Sequence, residues 1–279
     1  MLTDYHVHLR PDRIPTPPSD YFTSGNADRY RTVASERGIR ELGVAEHVHR
    51  FTAALDVWQH PMWRENARDD VDAYCGWVKE ETDLKLGIEM DFLPGREDRI
   101  ANLLEDRPWD YVVGSVHFLR DDAVDWEVYD VWDAAWATPD RVWQRYFETM
   151  AEAARSGLYD ILAHPDLVKV WGGERPWPEG DLRRFYEPLA EAVADTGVAV
   201  EVSTAGLRKP VGEIYPSAGL LEMLLDAGAV VALSSDAHAP GDVGAGYEEA
   251  EALLDRFGVD RLAVFSERVR TLEPRGADT

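Results

Sequence analysis

The sequence predicts an α/β barrel, and three observations carry that reading. Short apolar runs rich in β-branched or aromatic residues recur along the chain. The stretches between them have helical periodicity, with apolar residues three or four apart. Residue types that bind metal ions stand within or at the ends of most of the runs. Alternating strand and helix signals imply a parallel sheet, and seven or eight such units suggest closure into a barrel.

The runs, in order, are LTDYHVHL (2–9), ELGVAEH (41–47), LKLGIEMDF (84–92), YVVGSVH (111–117), DILAHPD (160–166), VAVEVSTA (198–205) and VVALSSDAH (230–238), with a weaker eighth, RLAVFSE (261–267). Helical periodicity is clearest in RRFYEPLAEAVADTG (183–197) and GLLEMLLDAG (219–228), and both stop at glycine, as helix C-termini commonly do. Segments 10–25, 57–66, 170–180 and 203–217, rich in Pro, Trp or Gly, read as long loops following strands. GDVGAG (241–246) has the wrong glycine order for a nucleotide-binding turn and reads as a flexible loop. No repeat or linker interrupts the pattern, so residues 1–279 read as one domain.

Composition narrows the function. The chain carries 29 Lys and Arg against 53 Asp and Glu, a net charge of −24, and its lysines are only Lys79, Lys85, Lys169 and Lys209. Such a surface repels phosphate backbones, which disfavours nucleic acid as a partner. It does not exclude a small anionic substrate, because bound metal ions invert the local field. The lone Cys75 rules out an intrachain disulfide. No signal-peptide pattern follows Met1 and no apolar run reaches the ~20 residues of a membrane span, so a cytoplasmic protein is expected.

The histidines are not scattered. His6, His8, His47, His117, His164 and His238 each fall within or at the end of a predicted strand, Asp236 precedes His238 by two, and the third run carries Glu89. In a parallel barrel all strand ends of one polarity share a face, and that face carries the active site. Alternate strand residues point the same way, so both members of His6-Val7-His8 and of Asp236-Ala237-His238 can face the interior. Imidazoles with bridging carboxylates suit Zn, Mn or Fe, and this many ligands exceeds one tetrahedral ion. Two or three divalent ions are expected, with a carboxylate shared between a pair. His60 belongs to no run and reads as loop packing, whereas His49, just past His47, is a candidate for touching substrate.

HVH (6–8), EH (46–47), GIEMDF (87–92), GSVHF (114–118), AHPDL (163–167) and SDAH (235–238), in this order, resemble the motifs of the PHP (polymerase and histidinol phosphatase) superfamily. HPDLVKVWG (164–172) and GLRKPVGEIYPS (206–217) are similar to stretches of its histidinol-phosphate phosphatases. The resemblance implies a distorted (β/α)7 barrel that hydrolyses a phosphate monoester at a multinuclear metal centre. It implies that His6, His8 and Asp236 bind the first ion, that Glu89 bridges it to a second completed by His117 and His164, and that His47 and His238 hold a third. Two departures stand out. Ile14 occupies the place where relatives carry a further third-site histidine, leaving Asp12 as the nearest substitute, and STAG (203–206) replaces an Asn-first, Ser-third pattern.

The expected reaction is attack on phosphorus by a hydroxide shared between two ions, with Asp236 and His238 serving the leaving alkoxide. Arg208 is the candidate phosphate clamp with its neighbour Lys209, and Lys169 is a second candidate. The phosphatase-like loops favour L-histidinol phosphate, whose imidazole could stack on the Trp-rich loops or meet Asp91 or Glu213. Another small phosphate mono- or diester is the alternative. A cyclic amidohydrolase would share HVHLR but needs a bridging lysine at a strand end, which none of the four lysines supplies. A non-catalytic metal-binding barrel is the remaining reading, and the nearly complete ligand set opposes it.

Overall fold

The computed structural model describes residues 1–11 and 16–276. Its strands are β1 (Leu2–Asp4), β2 (Ile39–His47), β3 (Lys85–Asp91), β4 (Tyr111–Ser115), β5 (Phe118–Leu119), β6 (Asp122–Ala123), β7 (Ile161–Leu162), β8 (Ala199–Ser203), β9 (Val231–Ser234), β10 (Arg261–Ser266) and β11 (Val269–Pro274). Its α-helices are α1 (Pro18–Tyr21), α2 (Ser24–Glu36), α3 (Pro61–Asn66), α4 (Val71–Glu81), α5 (Glu97–Leu104), α6 (Pro139–Arg155), α7 (Arg183–Thr196), α8 (Ala218–Asp226) and α9 (Tyr247–Arg256). Seven strands form one parallel sheet in the order β1-β2-β3-β4-β7-β8-β9, a distorted (β/α)7 barrel.

The barrel closes just beyond its first and last strands. Val7 and Ala237 form a parallel bridge, with the His8 N–H donating to the Ala237 carbonyl at 2.8 Å and the Ala237 N–H to the His6 carbonyl at 3.1 Å. These bridging residues are the middle members of His-Val-His and Asp-Ala-His, so the closing seam sets both ligand pairs side by side.

Two cores flank the sheet. Residues such as Val44, Ile88, Met90, Leu162, Val202 and Leu233 pack outward against the helices, which accounts for the nearly continuous apolar runs. Tyr5, Ala45, Tyr111, Ile161, Ala199 and Ala232 fill the interior. The interior is narrow: a Cβ on Gly87 would lie 2.4 Å from the Tyr111 ring and one on Gly43 2.3 Å from its hydroxyl.

The eighth run, RLAVFSE, is not a barrel strand. β10 pairs antiparallel with β11, and Phe265 of this hairpin packs on Tyr5 with ring centroids 5.7 Å apart, plugging the barrel. Its four central residues, Leu262, Ala263, Val264 and Phe265, are all buried, which gives the run the apolar look of a barrel strand. Helices α7 and α8 match the predicted ones closely, and α7 ends at Gly197 with φ 66°. GDVGAG, read as a flexible loop, is packed: Val243 is fully buried and the Gly244 N–H donates to the Asp4 carboxylate at 3.2 Å. Asp12 and Ile14 lie outside the described residues.

Candidate metal centre

Strand register builds the site. His47, the last residue of β2, and Glu89, inside β3, are direct register partners on neighbouring parallel strands, so the Glu89 carboxylate meets the His47 imidazole across one strand spacing. The Val7–Ala237 seam brings His6, His8, Asp236 and His238 to the same mouth. His117 follows β4, and His164 follows β7. Glu89 is the hub: Oε2 lies 3.4 Å from His6 Nε2 and 3.7 Å from His8 Nε2, and Oε1 lies 3.1 Å from His164 Nε2 and 3.4 Å from His117 Nε2. Asp236 Oδ1 lies 3.3 Å from His8 Nε2 and 3.9 Å from His6 Nε2.

Two of these residues sit on left-handed backbone, His164 at φ 25° and Asp236 at φ 49°. Such conformations cost on the order of 1–3 kcal/mol and persist where surrounding structure imposes them. They let the chain leave the strand while turning the side chain inward.

The donor set fits divalent cations. The residues fall into overlapping groups of three whose ligand atoms lie within 4.8 Å of one another: His6/His8/Asp236, His6/Glu89/His164, His47/Glu89/His117 and His8/His47/His238. His8 thus joins the pair expected at a third site. Buried atoms turned into this volume, among them His6 Nε2, both ring nitrogens of His8, Glu89 Oε2 and Asp236 Oδ1, make no hydrogen bond. Orphaned polar atoms are costly unless something else satisfies them, and divalent cations would do so here.

The metal-free charge balance agrees. Burial alone would raise the Glu89 carboxyl, but the imidazoles of His47, His6 and His117 outweigh it and hold Glu89 well below the usual carboxylate range. Asp236 behaves likewise: burial raises it, and His6, His8 and His238 bring it well below. Burial, reinforced by His47 and His238, pushes His8 well below the ordinary imidazole value, leaving a neutral ligand. Burial opposes charge on His117 and His6 as well, yet nearby carboxylates prevail, driving His117 up to about 10 and His6 well upward.

Outer contacts orient the rings. His117 Nδ1 donates to Asp91 at 2.8 Å, so Asp91 fixes the orientation of that ring. His6 Nδ1 donates to Glu201 at 2.8 Å. Neither acid can be matched to its ring from the sequence, because the histidine it faces is far away along the chain. Glu46 accepts from the Leu9 and Arg10 N–H groups at 2.7 and 3.1 Å and pairs with Arg50, tying down the chain after His8.

The metal-facing volume opens into a cleft of about 210 Å³. His49 lines it, stacked on His47 with centroids 4.8 Å apart. Lys209 lines it too, as do Asp125, Trp126, Trp171 and Phe118. The other expected basic contacts are engaged elsewhere. Lys169 is buried against Asp166 at 3.0 Å and Glu213 at 2.8 Å, and donates to the Ile214 carbonyl. Arg208 donates through one guanidinium nitrogen to the carbonyls of Ser235 and Asp236 at 2.6 and 3.1 Å, a grip on the Asp236 turn. His60 is loop packing, stacked on Trp58 at 4.4 Å with its Nδ1 accepting from the Met62 N–H.

Imidazoles and carboxylates converging at the C-terminal mouth of a parallel barrel define a protein built to hold several divalent ions at the floor of a small-molecule cleft. The PHP domain family matches residues 19–205, and the chain belongs to that family. The chain is 31% identical to the Deinococcus radiodurans protein named "Probable histidinol-phosphatase", covering 98% of this chain and 99% of that protein. It is 25% identical to the Bacillus subtilis histidinol-phosphatase over 91% of this chain and 98% of that one. The crystal structure of histidinol phosphate phosphatase from Lactococcus lactis, complexed with Zn, L-histidinol and phosphate, shares the fold with a TM-score of 0.68 at 20% identity, covering 97% of this chain and 98% of that one.

The charge balance makes cation uptake acid-sensitive. His6 and His117 hold protons in the metal-free chain and must release them to coordinate, so protons compete with the metal. Apparent zinc affinity, measured by competition with a chromophoric chelator, should rise with pH by about a decade per unit for each proton displaced. A pH-independent affinity would contradict this assignment.

Proposed function

We propose that the protein is a metal-dependent phosphoric monoester hydrolase that converts L-histidinol phosphate to L-histidinol and phosphate. One observation carries the reading most strongly: a cluster of imidazoles centred on a buried carboxylate forms the floor of a cleft that also presents a lysine, a carboxylate and aromatic walls. Full-length similarity to proteins named histidinol-phosphatase supports the choice of ester. So does the shared fold with a structure holding Zn, L-histidinol and phosphate.

His6, His8, His47, His117, His164, His238, Glu89 and Asp236 would hold two or three ions, Zn, Mn or Fe. Bound divalent ions lower the pKa of coordinated water toward about 7 and neutralise charge on phosphoryl oxygens. The chain's own groups do the rest. The Lys209 ammonium at the cleft pairs with outer phosphate oxygens. Asp125 matches the ammonium of an amino alcohol, and the flat faces of Trp126 and Trp171 receive an imidazole. His238 directs Nδ1–H to the Asp236 carbonyl at 3.2 Å and sets its Nε2 3.3 Å from His47 Nε2. Were only the first two ions held, the His238 ring beside the Asp236 carboxylate could pass a proton to the departing alkoxide.

No helix among the described residues is long and apolar enough to cross a membrane. As a biosynthetic enzyme acting on a small phosphorylated metabolite, the protein is assigned here to the cytoplasm, with residues 1–279 acting as one unit.

Phosphate release by zinc-, manganese- or iron-loaded protein tests the reading. kcat/KM for L-histidinol phosphate should exceed that for a generic aryl phosphate by on the order of a hundredfold, the scale of discrimination specific contacts supply. Equal values would reject the assigned ester. Lys209→Ala should raise KM for phosphate esters roughly tenfold with metal content unchanged. An unchanged KM would leave Lys209 without a substrate role.

A further inference from the structure

Glu201 lies on β8 with its side chain buried beneath the imidazole cluster, and it belongs to none of the ligand groups. Each of its oxygens accepts a hydrogen bond from a different ligand residue. Oε1 takes His6 Nδ1–H at 2.8 Å, and Oε2 takes the backbone N–H of His164 at 2.7 Å. The second donor cannot be reversed, because a peptide N–H only donates, and it belongs to a residue held at φ 25°. The first donor is a choice, because a neutral imidazole carries its proton on either nitrogen. His6 Nε2, on the far side of the ring, makes no hydrogen bond and faces Glu89 and Asp236.

We infer that Glu201 is a positioning residue that fixes the tautomer of His6. With the proton held on Nδ1, Nε2 offers its lone pair to a cation. The same carboxylate pins the left-handed turn at His164, so one buried acid aligns ligands from opposite sides of the barrel.

The arrangement requires an acceptor on both oxygens, and this separates Glu201 from a residue that merely fills space. In Glu201→Gln the amide oxygen must take the His164 N–H. The amide NH₂ then faces His6 Nδ1, which must become an acceptor, and the His6 proton moves to Nε2, where it blocks coordination. An isosteric change thereby turns one ligand away from the metal without altering volume.

The inference rests on the metal-binding reading of the cluster. Zinc dissociation constants from chelator competition, zinc content by mass spectrometry and imidazole ¹⁵N shifts are to be measured on wild type, Glu201→Gln and Glu201→Asp. His6 resonances are identified from a His6→Asn spectrum. In Glu201→Gln one class of zinc site should weaken roughly 10- to 100-fold, the usual effect of losing such an outer partner, while the remaining sites keep wild-type affinity. In the zinc-treated proteins, where His6 has shed its second proton, the remaining one should sit on Nδ1 in wild type and on Nε2 in Glu201→Gln. Glu201→Asp, which keeps two acceptors on a shorter arm, should recover part of the lost affinity. Uniform weakening of every site, no weakening at all, or an unmoved His6 proton would overturn the inference. Wild-type protein that takes up no zinc would overturn the metal reading and this inference together. Should Glu201→Gln fail to fold, zinc-loaded wild type decides: a proton on His6 Nδ1 supports the role, and one on Nε2 refutes it.

Discussion

An ionised carboxylate buried from water must keep positive charge within a few ångströms, and Glu89 imposes that requirement on the whole barrel mouth. Its desolvation costs several kcal/mol unless compensated, and four imidazole nitrogens within 3.1–3.7 Å, with His47 closer still, supply the compensation. In the metal-free chain that charge comes from the protonated rings of His6 and His117, while His8 stays neutral. With ions bound it would come from the metals, and His6 and His117 would be neutral too. Either way the carboxylate stays ionised at the centre, which makes Glu89 a natural bridge and ties metal uptake to proton release. The surrounding chain, at a net charge of −24, raises the local concentration of cations that can make this exchange.

The backbone is arranged around the same point. Closing the barrel through Val7 and Ala237 places the two X positions of His-X-His and Asp-X-His in one seam, so the closing hydrogen bonds and the ligand geometry cannot vary independently. At Asp236 the left-handed turn is gripped by Arg208 through two carbonyls, and at His164 a Glu201 oxygen accepts the backbone N–H. Local strain is thus held by specific contacts where the side chains must point inward. Below the mouth, Tyr5, Tyr111 and Phe265 fill a barrel kept narrow by Gly43 and Gly87, a rigid floor for the ligand layer.

Much of this was legible in the sequence for a physical reason. Parallel strands buried on both faces must be apolar throughout, so an imidazole or carboxylate at a strand end is conspicuous, and the order of six histidines with Glu89 and Asp236 sufficed to locate the mouth. Helices α7 and α8 were readable because glycine marks both ends. What was not legible depends on distant partners. RLAVFSE has strand chemistry, but only tertiary packing decides that it forms a hairpin plug. Lys169 and Arg208 carry the right charge for phosphate, and only the fold shows that they also hold Asp166, Glu213 and two carbonyls. Glu201 and Asp91 reveal their roles only through the rings they face across the barrel.

The central claim is that Glu89 bridges cations gathered by side chains remote in sequence. Anomalous diffraction at the zinc edge, on crystals of zinc-reconstituted protein, tests it most directly. The account predicts at least two peaks, each about 2.0–2.2 Å from an oxygen of Glu89 and coordinated by imidazoles from different strands. A single peak touching one Glu89 oxygen, or no peak among these residues, would contradict it.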